Sequence, residues 1–449
     1  MPGPWTPPES ERAIGLGFYA TTTPPVSARL KGDADDFVVR EISSYPMPDP
    51  AGRFAVLRVR SRNWEQHELA ARLEGRLGLG RNAIAWAGTK DRRAVAERLL
   101  SYQGRIPDRP VDLPGVELLE AYQARDGLSL GHHYGNSFSI RLTEVADPTA
   151  AAAAFRRTTS ELLATGSVPN FFGPQRFGEV RPVTHLVGQA LAAGDAAAAV
   201  EVYLAGLPEA SDEEGRTARL HYAASHDARA ALGEFPSAYR FERQILERLA
   251  RGASPQSALR ALSRELRLLF VHAVQSWMFN RWLVARDEAG LSMVEPEAGD
   301  TILRVVRDGT VPSRDPVPVD SGNRPECLET VRRGRARLAA PLIGYATERP
   351  PGRPGELFDR VLRETGVAPS GFRLPAFPEI SSAGAWRAIT IATPPLGIRP
   401  DGVDAVTVDF ALPKGSYATV VVREFLKPGA RPSDAGAGPS RAVPSSGRF

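Results

Sequence analysis

The stretch Ala85-Trp86-Ala87-Gly88-Thr89-Lys90-Asp91-Arg92-Arg93-Ala94 constrains this chain more than any other. An apolar run from Ala83 to Ala87 stops at Gly88, a charged group follows, and Ala94 to Leu100 has helical spacing. The pattern predicts a strand, a tight turn and the start of a helix. In such a turn a carboxylate sits between the Lys90 and Arg92 cations and close to the helix's free N–H groups, all of which favour its charged form. Asp91 is therefore a candidate nucleophile or general base, displayed at the end of a strand.

Lysine usage points to the same place. Of 56 basic side chains only Lys31, Lys90, Lys414 and Lys427 are lysine, so arginine has replaced it almost everywhere else. A surviving lysine suits a site that needs a compact, flexible point charge rather than a planar fork. Three of the four lie in dense, motif-like stretches.

The balance of 42% hydrophobic and 24% charged residues is that of a globular protein, and 449 residues suffice for two or three domains. A net charge of +4, carried almost wholly by arginine, permits a nucleic-acid partner without requiring one. The single Cys327 excludes an internal disulfide framework and a multi-thiolate metal site. No apolar run has membrane-spanning length and the N-terminus does not read as a signal peptide, so a cytoplasmic protein is expected.

Residues 1–28 are rich in Pro and Thr and are expected to wrap the surface as an N-terminal extension. From Ala28 to Ile42 two extended pieces flank an acidic turn that contains Lys31 and ends at Phe37. Residues 54–60 read as a strand and 65–79 as an amphipathic helix opened by Asn63 or Trp64. In Gly131-His132-His133-Tyr134-Gly135-Asn136 the glycine–asparagine pair reads as a turn before a strand, Phe138 to Leu142. Adjacent histidines on a strand face opposite ways, and no third ligand is near, so they read as loop hydrogen-bonders and no metal is expected. Residues 149–165 form an Ala-rich helix ended by Gly166.

The second dense stretch is Pro169-Asn170-Phe171-Phe172-Gly173-Pro174-Gln175-Arg176-Phe177-Gly178. It has neither helical nor strand period. Aromatics with Asn170, Gln175 and Arg176 suit a pocket that stacks a base and reads its edge, although a buried loop stapled by its own side chains has the same composition. Beyond it, residues 184–206 read as two helices split at Gly194-Asp195. Ser254-Pro255 opens further helical sequence, and Leu262, Leu266, Leu269, Phe270, Ala273, Trp277 and Arg281 make a core stripe beside Gln275 and Asn280. Residues 296–380 read as irregular, with an arginine cluster at 332–337. Strand character returns over 403–425, interrupted by the Lys414-Gly415-Ser416-Tyr417 loop. These late strands need a sheet to join, and the N-terminal one is the simplest partner. That predicts an α+β protein with segments 29–194 and 391–426 forming one catalytic domain, 195–390 inserted into it, and 427–449 a disordered tail.

Gly-Thr-Lys-Asp-Arg-Arg-Ala (88–94), Pro-Asn-Phe-Phe-Gly-Pro-Gln-Arg-Phe-Gly (169–178) and Leu-Pro-Lys-Gly-Ser-Tyr-Ala-Thr (412–419), with Asp-Phe-Val-Val-Arg-Glu (36–41) and residues 131–142, resemble the TruD family of tRNA pseudouridine synthases in family order. The resemblance spans about residues 28 to 426. It implies a mixed-sheet pseudouridine-synthase catalytic domain with an inserted, largely helical α+β TRUD domain. It implies that Asp91 is the nucleophile and that Phe37, Asn170, Phe172 and Tyr417 surround the target base. Lys31 matches a family lysine, and Lys90 or Arg92 is expected to balance the aspartate charge and to meet a phosphate. Tyr417 stands where the family often has Phe. The implied reaction converts uridine, commonly uridine-13 of tRNA, into pseudouridine. It involves no redox change or net hydrolysis, so no cofactor is expected; tRNA is the expected partner and a monomer the expected state. The alternatives are a non-catalytic RNA-binding protein and a pseudouridine synthase acting at another RNA site.

Overall fold

The structure is a computed structural model that describes residues 4–432 apart from 109–110, 179, 307–309 and 313. Its organising element is an eight-stranded sheet. The strands run in the order Gly397–Asp401, Ala405–Pro413, Gly135–Leu142, Phe37–Ile42, Val95–Gln103, Phe54–Arg62 and Val116–Ala124, with the short Ala85–Trp86 also paired to Val95–Gln103. Only Phe37–Ile42 against Val95–Gln103 is parallel, with Val38 opposite Val95. The sheet is thus mixed and the fold α+β, as the sequence predicts. The late strands do join the N-terminal sheet, with Val408 opposite Ile140.

Alternation along Phe37–Ile42 buries Phe37, Val39 and Glu41 on one face. Val39 lies opposite Phe138 and Glu41 opposite Asn136 on the neighbouring strand. Helix Pro148–Thr165, capped by Asp147 and ended by Gly166 at φ 67°, packs Phe155 and Leu162 into the same core as Phe37, Phe138 and Phe410. Helix Gln66–Leu77 places Leu69 and Leu73 with Leu57, Val59 and Leu100; its cap is Glu65, one residue past the predicted opening.

The helical region begins with Thr184–Ala192 and Ala196–Ala205, split at Gly194-Asp195 as expected. Its spine is the 25-residue helix Arg264–Glu288, buried almost all round. Ser254 caps the short helix Pro255–Leu259 with the proline in its first turn. Residues 296–380, expected to be irregular, instead hold a helix Arg324–Arg332, a helix Gly352–Thr365 and most of a four-stranded sheet completed by Ala385–Ala388. Their Pro, Gly and Arg content hid short, one-sided elements. The 332–337 arginines are partly neutralised, Arg332 by Glu295 and Arg333 by Glu329.

Four further expectations are corrected. Residues 94–100 are not a helix start: Val95–Gln103 is a central strand with a core on each face, Leu100 and Tyr102 in one and Leu99 in the other, so most of its positions are buried and alternation is lost. Residues 418–425 are not a strand: Ala418–Leu426 is a helix buried on nearly every side, where packing overrides the low helix propensity of Val420, Val421 and Val422. Gly135-Asn136 is no turn but the start of strand Gly135–Leu142. Residues 1–28 do more than wrap a surface, because Ile14 and Leu16 enter the helical core and Thr21 is clasped by the Glu424 carboxylate. Of the tail, Lys427 is 1% exposed and Arg431–Pro432 pairs with Trp5–Thr6; the predicted disorder of 433–449 lies outside the described residues.

Candidate active site

A cavity of about 440 Å³ opens over the Phe37–Ile42 and Gly135–Leu142 strands. Phe37, Val39, Asn136 and Phe138 form its floor, because strand alternation aims them to one side. The turn Gly88–Asp91 closes one wall, and Gly415–Thr419 the opposite one. Gln175, Arg176 and Leu269 complete the rim. The volume falls within the roughly 300–1,000 Å³ typical of small-molecule sites.

Asp91 stands in this cavity with its side chain 32% exposed, so solvent and substrate reach it. The Lys31 ammonium meets its Oδ2 at 2.8 Å and also lies 4.6 Å from the centre of the Phe37 ring. Lys31 holds a left-handed backbone at φ 57°, uncommon for a side chain of this kind. The strain is explained by where it delivers the charge. The predicted partner of Asp91 is therefore corrected. Lys90 turns instead to Glu41: its ammonium bonds Glu41 Oε2 at 2.8 Å with both side chains 2% exposed or less, although Lys90 still contributes to the cavity lining. Nor do helix N–H groups support Asp91, since no helix follows. Burial pulls the Lys90 pKa below its ordinary value despite Glu41.

Gly88 is needed for close approach rather than for backbone freedom. A Cβ there would stand 2.8 Å from Cε1 of His133, whose imidazole packs on the turn. Burial, then the Lys90 charge, lowers the pKa of His133 below the ordinary imidazole value. Gly173 plays the same steric part: a Cβ would meet Thr419 Oγ1 at 2.8 Å and Gln175 Oε1 at 2.9 Å. This lets the 169–178 loop close onto the turn that carries Tyr417.

Of the residues predicted around the base, Phe37 and Tyr417 line the cavity with Asp91. Asn170 and Phe172 do not; they form the layer behind. The Asn170 amide donates to Ala388 O at 2.9 Å, and its Oδ1 accepts from Arg387 at 2.7 Å, so it is committed to protein partners. The Phe172 ring is covered by the Arg387 guanidinium at 4.0 Å and meets Phe279 and Tyr417 edge-on at 5.5 and 5.9 Å. Asn280 on the long helix fixes its backbone, accepting from Phe172 N at 2.9 Å and donating to Phe172 O at 3.0 Å. Asn170 and Phe172 thus stand behind the cavity lining, Phe172 against Tyr417 and Asn170 bonded to Arg387.

Sequence reasoning missed His133 and Asn136 as cavity residues because they read as loop and turn, although both lie in a quoted motif. Leu269 was absorbed into the helical core stripe. Arg387 belongs to no motif, and nothing in its local pattern distinguishes it from the chain's many other arginines. Among the described residues no cluster of His, Cys, Asp and Glu has the geometry of a metal site, and no helix is long and apolar enough to cross a membrane.

Fold and site together present one reachable carboxylate, held by a lysine, in a cavity lined by aromatic rings. The family described as tRNA pseudouridine synthase D (TruD) matches residues 13–425. The chain is 36% identical over 438 residues to a protein of Halobacterium salinarum named a probable tRNA pseudouridine synthase D, covering 93% of this chain and 97% of that one. It is 37% identical over 436 residues to a relative of the same name from Natronomonas pharaonis, with the same coverage. The crystal structure of the protein assigned as tRNA pseudouridine synthase D in Methanosarcina mazei superposes with a TM-score of 0.78 at 34% identity, covering 94% of this chain and 98% of that one. The chain belongs to the TruD family of tRNA pseudouridine synthases, a family of RNA-acting isomerases.

Proposed function

We propose that this protein isomerises a uridine of tRNA, uridine-13, to pseudouridine, with Asp91 as the nucleophile. The observation that carries the reading is the Asp91 carboxylate, held by Lys31 at 2.8 Å in a cavity that it shares with Phe37 and Tyr417. The target nucleotide is extruded so that its base enters between these rings, each stack contributing roughly 1–3 kcal/mol. Asp91, acting at C1′, at C6 or on a ribose proton, promotes cleavage of the C1′–N1 bond, whose electron pair leaves on uracil. The base turns within the cavity, C5 bonds to C1′, and Asp91 is regenerated as the free carboxylate. The C5 proton leaves to solvent and N1 is protonated, so atoms and charge balance with no cofactor. Lys31 keeps Asp91 ionised and oriented, and Phe172, Asn170 and Arg387 hold the Tyr417 wall in place.

The chain divides, in this reading, into an extension (1–28), a catalytic domain built from 29–194 and 391–426, and an insert (195–390). The pairing of Ala405–Pro413 with Gly135–Leu142 supports the division. The enzyme acts as a monomer in the cytoplasm. Tritium release from a tRNA transcript carrying 5-tritiated uridine tests the reaction. The wild-type chain releases tritium and forms no free uracil; Asp91→Ala releases none yet binds the transcript within a few-fold of wild type. Turnover by Asp91→Ala, or free uracil from the wild type, refutes the mechanism. Sequencing the modified position checks the target.

A further inference from the structure

A second hollow, of about 300 Å³, adjoins the catalytic cavity and has no part in the mechanism above. Tyr45, His132, His133, Tyr134 and Lys414 line it. The two spaces adjoin in two places: His133 lines both, and Lys414 is followed directly by Gly415 of the catalytic wall.

Its walls have one consistent chemistry. The Tyr45 and His132 rings meet edge to face, 5.1 Å apart at 88°. The Ser43 hydroxyl ties their backbones together, donating to Tyr45 O at 2.8 Å and to His132 O at 3.2 Å. Tyr134 is 38% exposed, with its phenol bonded to Ser44 Oγ at 2.6 Å. The Lys414 ammonium is exposed and donates to Gly131 O at 2.8 Å. No carboxylate lines the hollow. Rings set for stacking, a cation with no carboxylate in the lining and a position beside the Asp91 cavity suit a base with its phosphate.

We propose that this hollow is a subsite for a nucleotide next to the target in the same RNA strand. Its base stacks against Tyr134 and the Tyr45–His132 pair, and its phosphate lies at Lys414. Extruding the target deprives its neighbour of a stacking partner, and these rings replace it. The inference rests on the RNA-acting role proposed above, and the test separates the two.

Tritium release and equilibrium binding of the same tRNA transcript are measured with the full chain and with Tyr134→Ala, Tyr134→Phe and Lys414→Gln. The wild type tests the parent reading: binding without tritium release refutes the isomerisation while leaving the binding comparison able to decide the subsite. Tyr134→Ala should raise KM and Kd by about tenfold, the scale of one base–ring stack, with kcat within about twofold. Tyr134→Phe should restore both, because the ring is kept. Lys414→Gln should lower the slope of log Kd against log salt by about 0.7, the value for one single-strand phosphate. That last readout does not move if Lys414 only props the Gly131 carbonyl. Unchanged transcript affinity in Tyr134→Ala, with an unchanged salt slope in Lys414→Gln, overturns the proposal and leaves the hollow to a peptide or a small ligand. If Tyr134→Ala fails to fold, judged by its circular dichroism, the Lys414→Gln slope decides alone.

Discussion

The Glu41–Lys90 pair offers a demanding test, because it separates a residue that touches substrate from one that holds the turn. Both side chains are 2% exposed or less and bond at 2.8 Å. The pair is incompletely satisfied: Glu41 Oε1 has no hydrogen-bond partner among the described residues. Burial also lowers the Lys90 pKa in spite of the adjacent carboxylate. Desolvation therefore outweighs attraction here, the situation in which an apolar replacement of both partners is tolerated. Removing one partner leaves the other charge buried alone, at a cost of about 3–5 kcal/mol. Lys90→Met and Glu41→Leu should each lose that much, whereas the double variant should come within about 1 kcal/mol of wild type or exceed it. Hydrogen exchange of strand Phe37–Ile42 and of the 88–94 turn reads this locally, which suits a chain too large for one unfolding step. Tritium release by the double variant should stay within about tenfold, since Asp91 is held by Lys31. Single variants that exchange no faster than a surface control such as Arg72→Ala refute the energetic argument. A stable but inactive double variant would mean that the Lys90 charge acts on the substrate after all.

Two further outcomes follow from buried polar groups. Asn280 is fully buried and bonds both the N–H and the carbonyl of Phe172, as well as Ile14 O at 3.0 Å; Asn280→Ala should cost about 1–3 kcal/mol, read by hydrogen exchange along helix Arg264–Glu288, and lower kcat/KM by loosening the Tyr417 wall. His185, packed against Phe177 and Trp277 at 5.3 Å each, has its pKa pushed from 6.5 to about 4 by burial. Between those values the unfolded chain binds a proton that the folded chain refuses. Stability contributed this way is full above pH 6.5 and falls as pH drops toward 4, by roughly 3 kcal/mol. His185→Phe should remove that part of the acid slope in denaturant titrations, and an unchanged slope would count against it.

Local pattern and order along the chain were enough to reveal the motifs, the helix-rich stretch and the α+β class, because these depend on nearest-neighbour chemistry and on which residue types occur together. Asp91 stood out from its charged turn and Phe37 and Tyr417 through the family resemblance, and the structure brings all three to one cavity. Lys31 was legible as a residue but not in its role, since the partner of Asp91 lies 60 residues away and depends on a left-handed turn that aims the ammonium. Val95–Gln103 and Ala418–Leu426 were misread because burial on both faces erases the periodicity that separates strand from helix. Packing alone decided that Lys90 turns to Glu41, that Arg387 clasps Asn170 and covers Phe172, and that a second hollow opens beside the first. Each of these is a pairing between residues distant in sequence, fixed by desolvation and shape when the sheet closes, and no local pattern encodes it.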